Sequence, residues 1–459
     1  MSDAIAPNSP KQSLFELTDN VRKRRQQGAV LRWLGIGAIT VVLMFLAVLL
    51  WSILSRGMPA FFQHQAQIEL FYDPEILNEE GITDPVLLAE EVGSVSLRSG
   101  FERGIFADSL RRTLDAAGID TESFSDGDVA ALIYAANRRD VRDSLKENLD
   151  LIGQTVTQNV PIATGVTRYL TGELSGEGRG QMPPGIDRAQ LDLVDAMVEA
   201  DLVVRNFRWN FFANEYSQSG EIAGIGPALM GSAYMMLVVL VFSLLFGVAA
   251  SIYLEEFAPK NRFTDFIEIN IANLAAVPSI VFGILGAAIL IALKDLGFGN
   301  SIRGTALMGG IVLSLMTLPT IVIATRAALK AVPPSIRDAA LGIGASKVQT
   351  VFHHTLPLAA PGILTGTIIG IAQALGETAP LLLIGLSVST GAELLSSPLT
   401  GGLLEQTQSL PTAVYLFAQN EEAPVREGLS QSAIIVMLGL LFLLNFVAIM
   451  LRRRFERRW

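Results

Sequence analysis

The chain has 459 residues, half of them apolar, with 17% charged residues, a formal net charge of −10 and no cysteine. A soluble protein of this length normally carries about a quarter charged residues, and here the charge is gathered into blocks between long uncharged runs. This pattern excludes an intrinsically disordered chain and a disulfide scaffold, and it argues against a wholly soluble protein. The missing cysteine excludes a thiolate metal site, and the acidic balance argues against a nucleic-acid binder.

Six stretches are long and apolar enough to cross about 30 Å of hydrocarbon as helices. They fall at about 34–54, between 221 and 255, between 268 and 294, between 303 and 326, at about 362–386, and between 427 and 452. Buried helices of a soluble core rarely run so long without a charge. The sequence therefore predicts an all-α polytopic membrane protein with six transmembrane helices.

Lysines and arginines near the ends of the spans predict the orientation in the membrane. Both tails are basic, and six crossings put them on one side, so both are expected in the cytoplasm. The loop between the fourth and fifth spans is also basic, whereas the loop between the second and third is acidic, which counts little in this rule. The predicted parts are a cytoplasmic tail (1–33), a retained first helix (34–54), a domain outside the cytoplasm (55–221), a five-helix core (222–451) containing the cytoplasmic loop 326–357, and a basic cytoplasmic tail (452–459).

The insertion after the first helix carries 28 acidic and 14 basic residues between Arg56 and Glu221. An acidic excess of this kind is typical of a solvated surface, and nothing in the insertion resembles a catalytic constellation. Its pattern predicts a mainly helical domain with some strand. The expected helices are 85–97, 106–117 and 127–151, the expected strands are 67–72 and 202–212, and the Gly-rich run 171–185 is expected to be a surface loop. The two strands could pair beside the membrane.

The most informative soluble stretch runs from 332 to 357. Ser335–Asp338 and Ser346–Gln349 each have the spacing of a capping box, and Gly344 lies between them. Pro357 is expected to end the second of these helices. The sequence predicts two short helices with a sharp turn at Gly344, whose small side chains would let another protein approach closely. An ordinary amphipathic loop between helices is the alternative interpretation.

Glu377 is the one ionisable residue within the predicted apolar spans, and a central acidic residue costs about 2.5–3.5 kcal/mol there. It should therefore face protein or water. Pro380 cannot donate a hydrogen bond to the carbonyl of Gly376, so a helix here would kink. This combination favours a moving part of a translocation path, and the alternative is a structural carboxylate satisfied by Gln373, Thr378 or a backbone donor.

The cytoplasmic loop carries a resemblance to a known family. Asp338-Ala339-Ala340, then Gly344, and finally Leu356-Pro357 resemble the EAA loop of ABC-importer permeases, which is the coupling helix seated in a cleft of the ATPase subunit. This sequence has Asp where the family usually has Glu. The ATPase-coupling residues that the resemblance implies are Arg337, Asp338, Ala339, Ala340, Gly344, Lys347, Leu356 and Pro357. Gln373, Gly376, Glu377, Thr378 and Pro380 are the residues expected in the translocation path or gate.

Narrower motifs resemble the PstA-type permeases of phosphate importers. They are Gly224–Leu229, Tyr253–Pro259, Val277–Gly283, Gly376–Leu382, and Leu410-Pro411 with Tyr415, within about 223–459. The insertion is not part of the minimal family. Family members often have Arg where this chain has Gln373, so an Arg–Glu pair does not transfer, and Glu377 is expected to pair with a cation of the partner subunit.

The resemblance implies a type I ABC importer permease in the bacterial inner membrane, with the insertion in the periplasm. The implied partners are a PstC-type second permease, a PstB-type ATPase dimer and a PstS-type periplasmic phosphate-binding protein. The chain lacks the motif G-x-x-x-x-G-K-[ST], so it is expected to bind no ATP, cofactor or metal and to be no enzyme itself, with ATP used by the partner ATPase. The alternatives are a permease for another oxyanion, such as molybdate or sulfate, and a membrane-anchored sensor.

Overall fold

The computed structural model describes residues 19–78, 81–82, 87–88, 103–133, 145, 148–171, 186–295, 297, 302–387, 401–421 and 424–455. It separates into two units, residues 1–55 and 56–459. The first unit holds most of helix α1, Asp19–Gly57, which contains the predicted span 34–54, and the last two residues of this helix belong to the second unit. The helix begins earlier than predicted because its basic leading residues, Arg22–Arg25, are good helix formers.

The insertion is built around a three-stranded antiparallel sheet of order β2-β1-β3. Its strands are β1 (Phe62–Phe71), β2 (Thr155–Pro161) and β3 (Val203–Phe207). Ile68 and Leu70 alternate into the core, as the sequence predicts. The pairing of Phe62 with Phe207 confirms that the two ends of the insertion meet. The predicted strand 202–212 is shorter than expected, because a helical turn replaces its second half.

Short helices cover this sheet. They are α2 (Pro74–Leu77), α3 (Asp108–Ala116), α4 (Asp126–Ala130), α5 (Thr164–Leu170), α6 (Arg188–Glu199) and α7 (Asn210–Ala213). Helix α3 confirms the prediction over 106–117, and its Ser109 and Thr113 hydroxyls accept hydrogen bonds from the β1 backbone. The predicted helix 127–151 is confirmed only at its start, since α4 ends at Ala130 and Ile133 forms a β-bridge with Ile162. Residues 172–185 and nearly all of 85–97 lie outside the described residues.

The core that follows the insertion, residues 222–455, is helical. Its elements are α8 (Gly226–Ile252), α9 (Arg262–Ala275), α10 (Ser279–Asp295), α11 (Ala306–Lys330), α12 (Pro334–Gly342), α13 (Lys347–Gln349), α14 (Leu356–Leu375), α15 (Ala379–Leu383), α16 (Gly401–Leu404), α17 (Leu410–Ala418) and α18 (Ser430–Phe455). Among the described residues, five helices are long and apolar enough to cross a membrane, or six if one bent pair counts as a span. The polytopic, mainly helical class is thereby confirmed.

Two of the predicted spans differ in detail. The third, between 268 and 294, is the pair α9 and α10, bent by 103°. Pro278 lies at the bend, and the residue before a proline is disfavoured in a helix. The fifth, predicted at 362–386, ends at Leu375, because the chain leaves the helix before Pro380.

Small residues let the core helices approach closely. Gly362, Gly366 and Gly370 recur every four residues along α14 and face α11, where a Cβ on Gly366 would overlap that of Ala324. A hydroxyl pair, Ser243 with Thr317 at 2.7 Å, links α8 to α11. Small residues and hydroxyl groups of this kind hold helices together inside a bilayer, where apolar burial supplies little driving force.

Candidate functional site

The loop 332–357 folds as two short helices joined at Gly344, as the sequence predicts. Gly344 has φ of +92°, a conformation that glycine adopts readily and other residues rarely do. The capping box of Ser346 with Gln349 is present at the start of α13. The box predicted for Ser335 with Asp338 is wrong, since α12 begins earlier, with Pro333 as its N-cap and Pro334 in its first turn.

Pro357 does not end the second helix, contrary to the prediction. A π-helical turn, Thr350–Thr355, follows α13, and Leu356 and Pro357 open α14. Proline is tolerated in a first helical turn, where its missing N–H group is not needed. The coupling segment, which we define as residues 332–357, therefore runs without a break into the fifth span.

The turn at Gly344 projects an apolar surface. Ile343 is 84% exposed, and Leu341, Val348 and Phe352 are also exposed around it. Asp338 and Ala339 face outward, whereas Ala340 is buried against the rest of the protein at 4% exposure. The segment thus presents a protruding apolar surface with Asp338 beside it.

Arg337 does not face outward with these residues. Its Nη2 lies 2.7 Å from Glu256 Oε1, and its guanidinium donates to the backbone carbonyls of Leu329 at 2.9 Å and Val332 at 2.8 Å. Glu256 lies in a π-helical turn, Tyr253–Phe257, that ends α8. Arg337 thereby ties the coupling segment to the ends of α8 and α11, an arrangement that we call the Arg337 clamp.

Further ion pairs surround the clamp. Arg326 lies 3.3 Å from Glu255 and 2.6 Å from Glu268, and Lys330 lies 3.5 Å from Glu255. Lys347 extends over the Phe257 ring, 5.4 Å from its centroid. The acidic loop between the second and third spans therefore faces the basic loop between the fourth and fifth, which explains its opposite charge. The sequence contained these carboxylates, but no local pattern paired them with cations 58 to 81 residues away.

Glu377 lies in the break between α14 and α15. It is half-buried, and its carboxylate has no hydrogen bond or ion pair within the described part of the chain. The alternative in which Gln373 or Thr378 satisfies it is therefore not observed. Gly376 ends α14, and Pro380 packs against α10, where a Cβ on Gly283 would lie 2.6 Å from its Cα.

These residues form two separate groups. The coupling segment carries Asp338, Ala339, Ala340, Gly344, Lys347, Leu356 and Pro357, with Arg337 turned inward. The break carries Gly376, Glu377, Thr378 and Pro380, with Gln373 exposed on the last turn of α14. Helix α14 connects the two groups along the chain. The described residues contain no cluster of His, Cys, Asp and Glu side chains that could hold a metal ion.

Comparisons with known proteins divide the chain in two. Residues 244–459 match the family described as "Binding-protein-dependent transport system inner membrane component", and residues 18–178 match a "Domain of unknown function (DUF3333)". The second match contains the first helix and most of the insertion. The two regions therefore match different sequence families.

Individual relatives match part of this chain. "Phosphate transport system permease protein PstA 2" of Mycobacterium bovis is 31% identical over 55% of this chain and 79% of its own length. "Probable ABC transporter permease protein YqgI" of Bacillus subtilis is 32% identical over 39% of this chain, and the match spans 59% of that relative. An inward-facing MetNI methionine ABC transporter matches 50% of this chain at 17% identity with a TM-score of 0.40, a likeness too weak to add to these relatives.

Proposed function

Because the chain belongs to the PstA-type family of ABC importer permeases, we propose that it forms the phosphate path of an ATP-driven importer together with a PstC-type permease subunit. A PstB-type ATPase dimer would supply the energy, and a PstS-type binding protein would deliver phosphate. The observation that carries the proposal is the coupling segment, which exposes Ile343 and is fixed by the Arg337 clamp to the ends of two membrane helices.

The mechanism follows from this geometry. An ATPase subunit that binds the apolar turn pushes on α12, and the Arg337 clamp carries the displacement to the ends of α8 and α11. Helix α14 carries it toward the break at Glu377, where a small change of backbone conformation would open or close the path. Selectivity would lie mainly in the binding protein.

The chain's own part in this cycle is mechanical. We propose that it hydrolyses no ATP and binds no cofactor or metal, with ATP bound and used only by the partner ATPase. The coupling segment would face the cytoplasm with both termini, and the insertion would lie in the periplasm of a bacterial inner membrane. The pairing of the basic loop with the acidic one supports a common side for both loops.

The docking of the ATPase is tested by Ile343→Asp, which places a charge on the exposed turn. In proteoliposomes containing the complete importer, we expect phosphate-stimulated ATP hydrolysis and phosphate uptake to fall together. Val198→Asp, at an exposed site of the insertion, is the matched control and should leave both rates unchanged. Normal uptake by Ile343→Asp would reject the docking role.

The role of Glu377 requires its own experiment. Since its carboxylate repels phosphate, we propose that it pairs with a cation of the partner permease and acts as a gate element. Glu377→Arg should abolish uptake, and the opposite charge change in the partner should restore it. Full uptake by Glu377→Ala would reject this role. Competition of labelled phosphate uptake by molybdate or sulfate would instead support the alternative substrate class.

A further inference from the structure

Two segments near the ends of the insertion differ in charge from the rest of it. The insertion has 28 acidic residues between 56 and 221, yet residues 56–68 and 202–214 contain no Asp or Glu. The same segments contain three arginines, Arg56, Arg205 and Arg208. These two segments of an acidic domain therefore carry positive charge only, and Glu215 and Glu221 follow them in the chain.

An exposed aromatic group lies on these two segments. Phe62 and Phe207 pair across β1 and β3, with ring centroids 5.7 Å apart, and Trp209 lies 4.7 Å from Phe207. The guanidinium carbon of Arg205 lies 5.0 Å from the centroid of Phe62. We call these four residues the aromatic seat. Trp209 is 74% exposed, an unusual state for so large an apolar side chain.

The aromatic seat lies at the level where membrane helices end. The Ser432 hydroxyl, in the first turn of α18, donates to the Gly57 carbonyl at 2.7 Å. Gly226, the first residue of α8, lies so close to α7 that a Cβ would be 2.5 Å from the Ala213 carbonyl oxygen. Because α7 directly follows Trp209, the Trp209 backbone lies about 6 Å along the helix axis from Ala213, the residue beside the start of α8.

A polar cleft adjoins the aromatic seat at Phe207 and Trp209. It has a volume of about 360 Å³, and its other lining residues are Gln63, Gln65, Asn206, Arg208 and Asn210. The Arg208 guanidinium donates to the Gly220 and Ala223 carbonyls at 2.5 Å and 2.7 Å.

Arg208 keeps its charge in this position. Burial lowers the pKa of Arg208 to about 10, and the nearby Glu221 carboxylate opposes part of this shift. The guanidinium therefore stays protonated at neutral pH. It adds positive charge to the cleft, and the Glu221 carboxylate offsets part of that charge.

We propose that the aromatic seat binds phospholipid headgroups of the leaflet on the insertion's side of the membrane. Tryptophan concentrates at membrane interfaces because its ring is apolar while its N–H needs a polar partner. Arg205 would donate hydrogen bonds to lipid phosphate oxygens. The acidic remainder of the insertion would be repelled by anionic lipids, so the segments 56–68 and 202–214 are the part of it that can lie on the membrane.

Spin labelling tests this proposal in the full chain, which has no cysteine of its own. A nitroxide is attached at Asn210→Cys, an exposed position beside Trp209, in vesicles of phosphatidylethanolamine and phosphatidylglycerol. We expect this label to collide more with oxygen, which partitions into lipid, than with a water-soluble nickel chelate. The matched control is Gln154→Cys, next to the opposite end of β1, about 30 Å along the strand from Phe62. Its label should show the reverse preference.

A second pair of measurements separates the contribution of the aromatic seat from mere proximity to the membrane. In a background of Arg205→Glu with Trp209→Ser, the label at 210 should shift toward the nickel chelate. Fluorescence of Trp209, kept as the sole tryptophan, should be quenched by a nitroxide near the lipid headgroup more than by one at the chain end. A label at 210 as water-accessible as the label at 154, or no lipid quenching of Trp209, would overturn the proposal. Neither measurement depends on phosphate transport.

Discussion

The insertion and the permease core place their apolar side chains in opposite ways. In the insertion, Ile68, Leu110 and Leu114 are fully buried in one core, as in a water-soluble domain. In the permease core, by contrast, Ile284 and Ile291 of helix α10 are exposed on the protein surface. Burial of apolar area stabilises the first region, whereas the second has to rely on close helix approach and polar contacts, because lipid is as apolar as its side chains.

Among the variants that test this difference between the two regions, Leu110→Ala is expected to have the largest effect. Removing a fully buried leucine should lower the free energy of opening of the insertion by about 2–5 kcal/mol, because a cavity remains. Hydrogen exchange of the β1 amides of Glu69 and Phe71, which bind Thr113 and Ser109 of α3, reports this opening.

The matched control for Leu110→Ala is Val198→Ala, at an exposed site of α6, where the change should stay within about 0.5 kcal/mol. Exchange in α11 should be unchanged in both variants. Equal protection of the β1 amides in the two variants would show that the insertion is not stabilised by its apolar core.

In the permease core, the largest effect is expected from the Arg337 clamp. Arg337→Met removes charge-assisted hydrogen bonds to Glu256 and to two backbone carbonyls. The free energy of local opening of α12, measured by amide hydrogen exchange, should therefore fall by about 1.5–3 kcal/mol. Lys330→Met is the control, since Lys330 is well exposed and lies 3.5 Å from Glu255, and such pairs contribute about 0–1 kcal/mol. Similar exchange rates in both variants would contradict a structural role for the clamp.

Close approach between helices is tested by Gly366→Leu. The new side chain would overlap Ala324 of α11 and should destabilise the α11–α14 contact by about 1–3 kcal/mol. Gly439→Leu in α18 is the control, since nothing lies within 4 Å of a Cβ at that position. The melting temperature in detergent should therefore be lower for Gly366→Leu than for Gly439→Leu. Equal melting temperatures would show that the close approach of α11 and α14 does not stabilise the permease core.

Local chemistry made part of this structure predictable. The alternation of Ile68 and Leu70 indicated β1, and Gly344 followed by Ser346 indicated the turn of the coupling segment. The missed features depend on distant partners. Strand β2 is largely polar and is held by its register with β1, and the Ile133–Ile162 bridge ended a helix that periodicity favoured.

The candidate site shows the same division between local and distant information. Its residues could be located from motifs, and Gly376 and Pro380 correctly indicated an interruption of the helix. The inward direction of Arg337 could not be predicted, because its partner Glu256 is 81 residues away in the chain. The functional roles of these residues stay predictions for the experiments above.

The smallest effect is expected from a substitution at the surface of the insertion, where neither apolar burial nor close helix approach contributes to stability. The Ser125 hydroxyl and backbone N–H bind the Asp128 carboxylate at 2.6 Å and 2.9 Å in the capping box of α4. The hydrogen bond from the Ser125 side chain is the main cause of the lowered pKa of Asp128. Ser125→Ala should cost about 0.5–2 kcal/mol near neutral pH, seen as a lower melting temperature of the insertion.

This difference between wild type and Ser125→Ala should depend on pH in a fixed direction. A carboxylate with a lowered pKa in the folded state stabilises above the pKa of the unfolded chain, and the contribution is lost as pH falls through the folded value. The two melting temperatures should therefore approach each other in acid, where the hydrogen bond from the Asp128 backbone N–H to the Ser125 hydroxyl still separates them, and lie further apart at neutral pH. In an Asp128→Asn background, the Ser125→Ala difference should be smaller and nearly independent of acid pH. A gap that persists unchanged in acid would mean that the Ser125 hydroxyl acts through this backbone cap and not through the charge of Asp128.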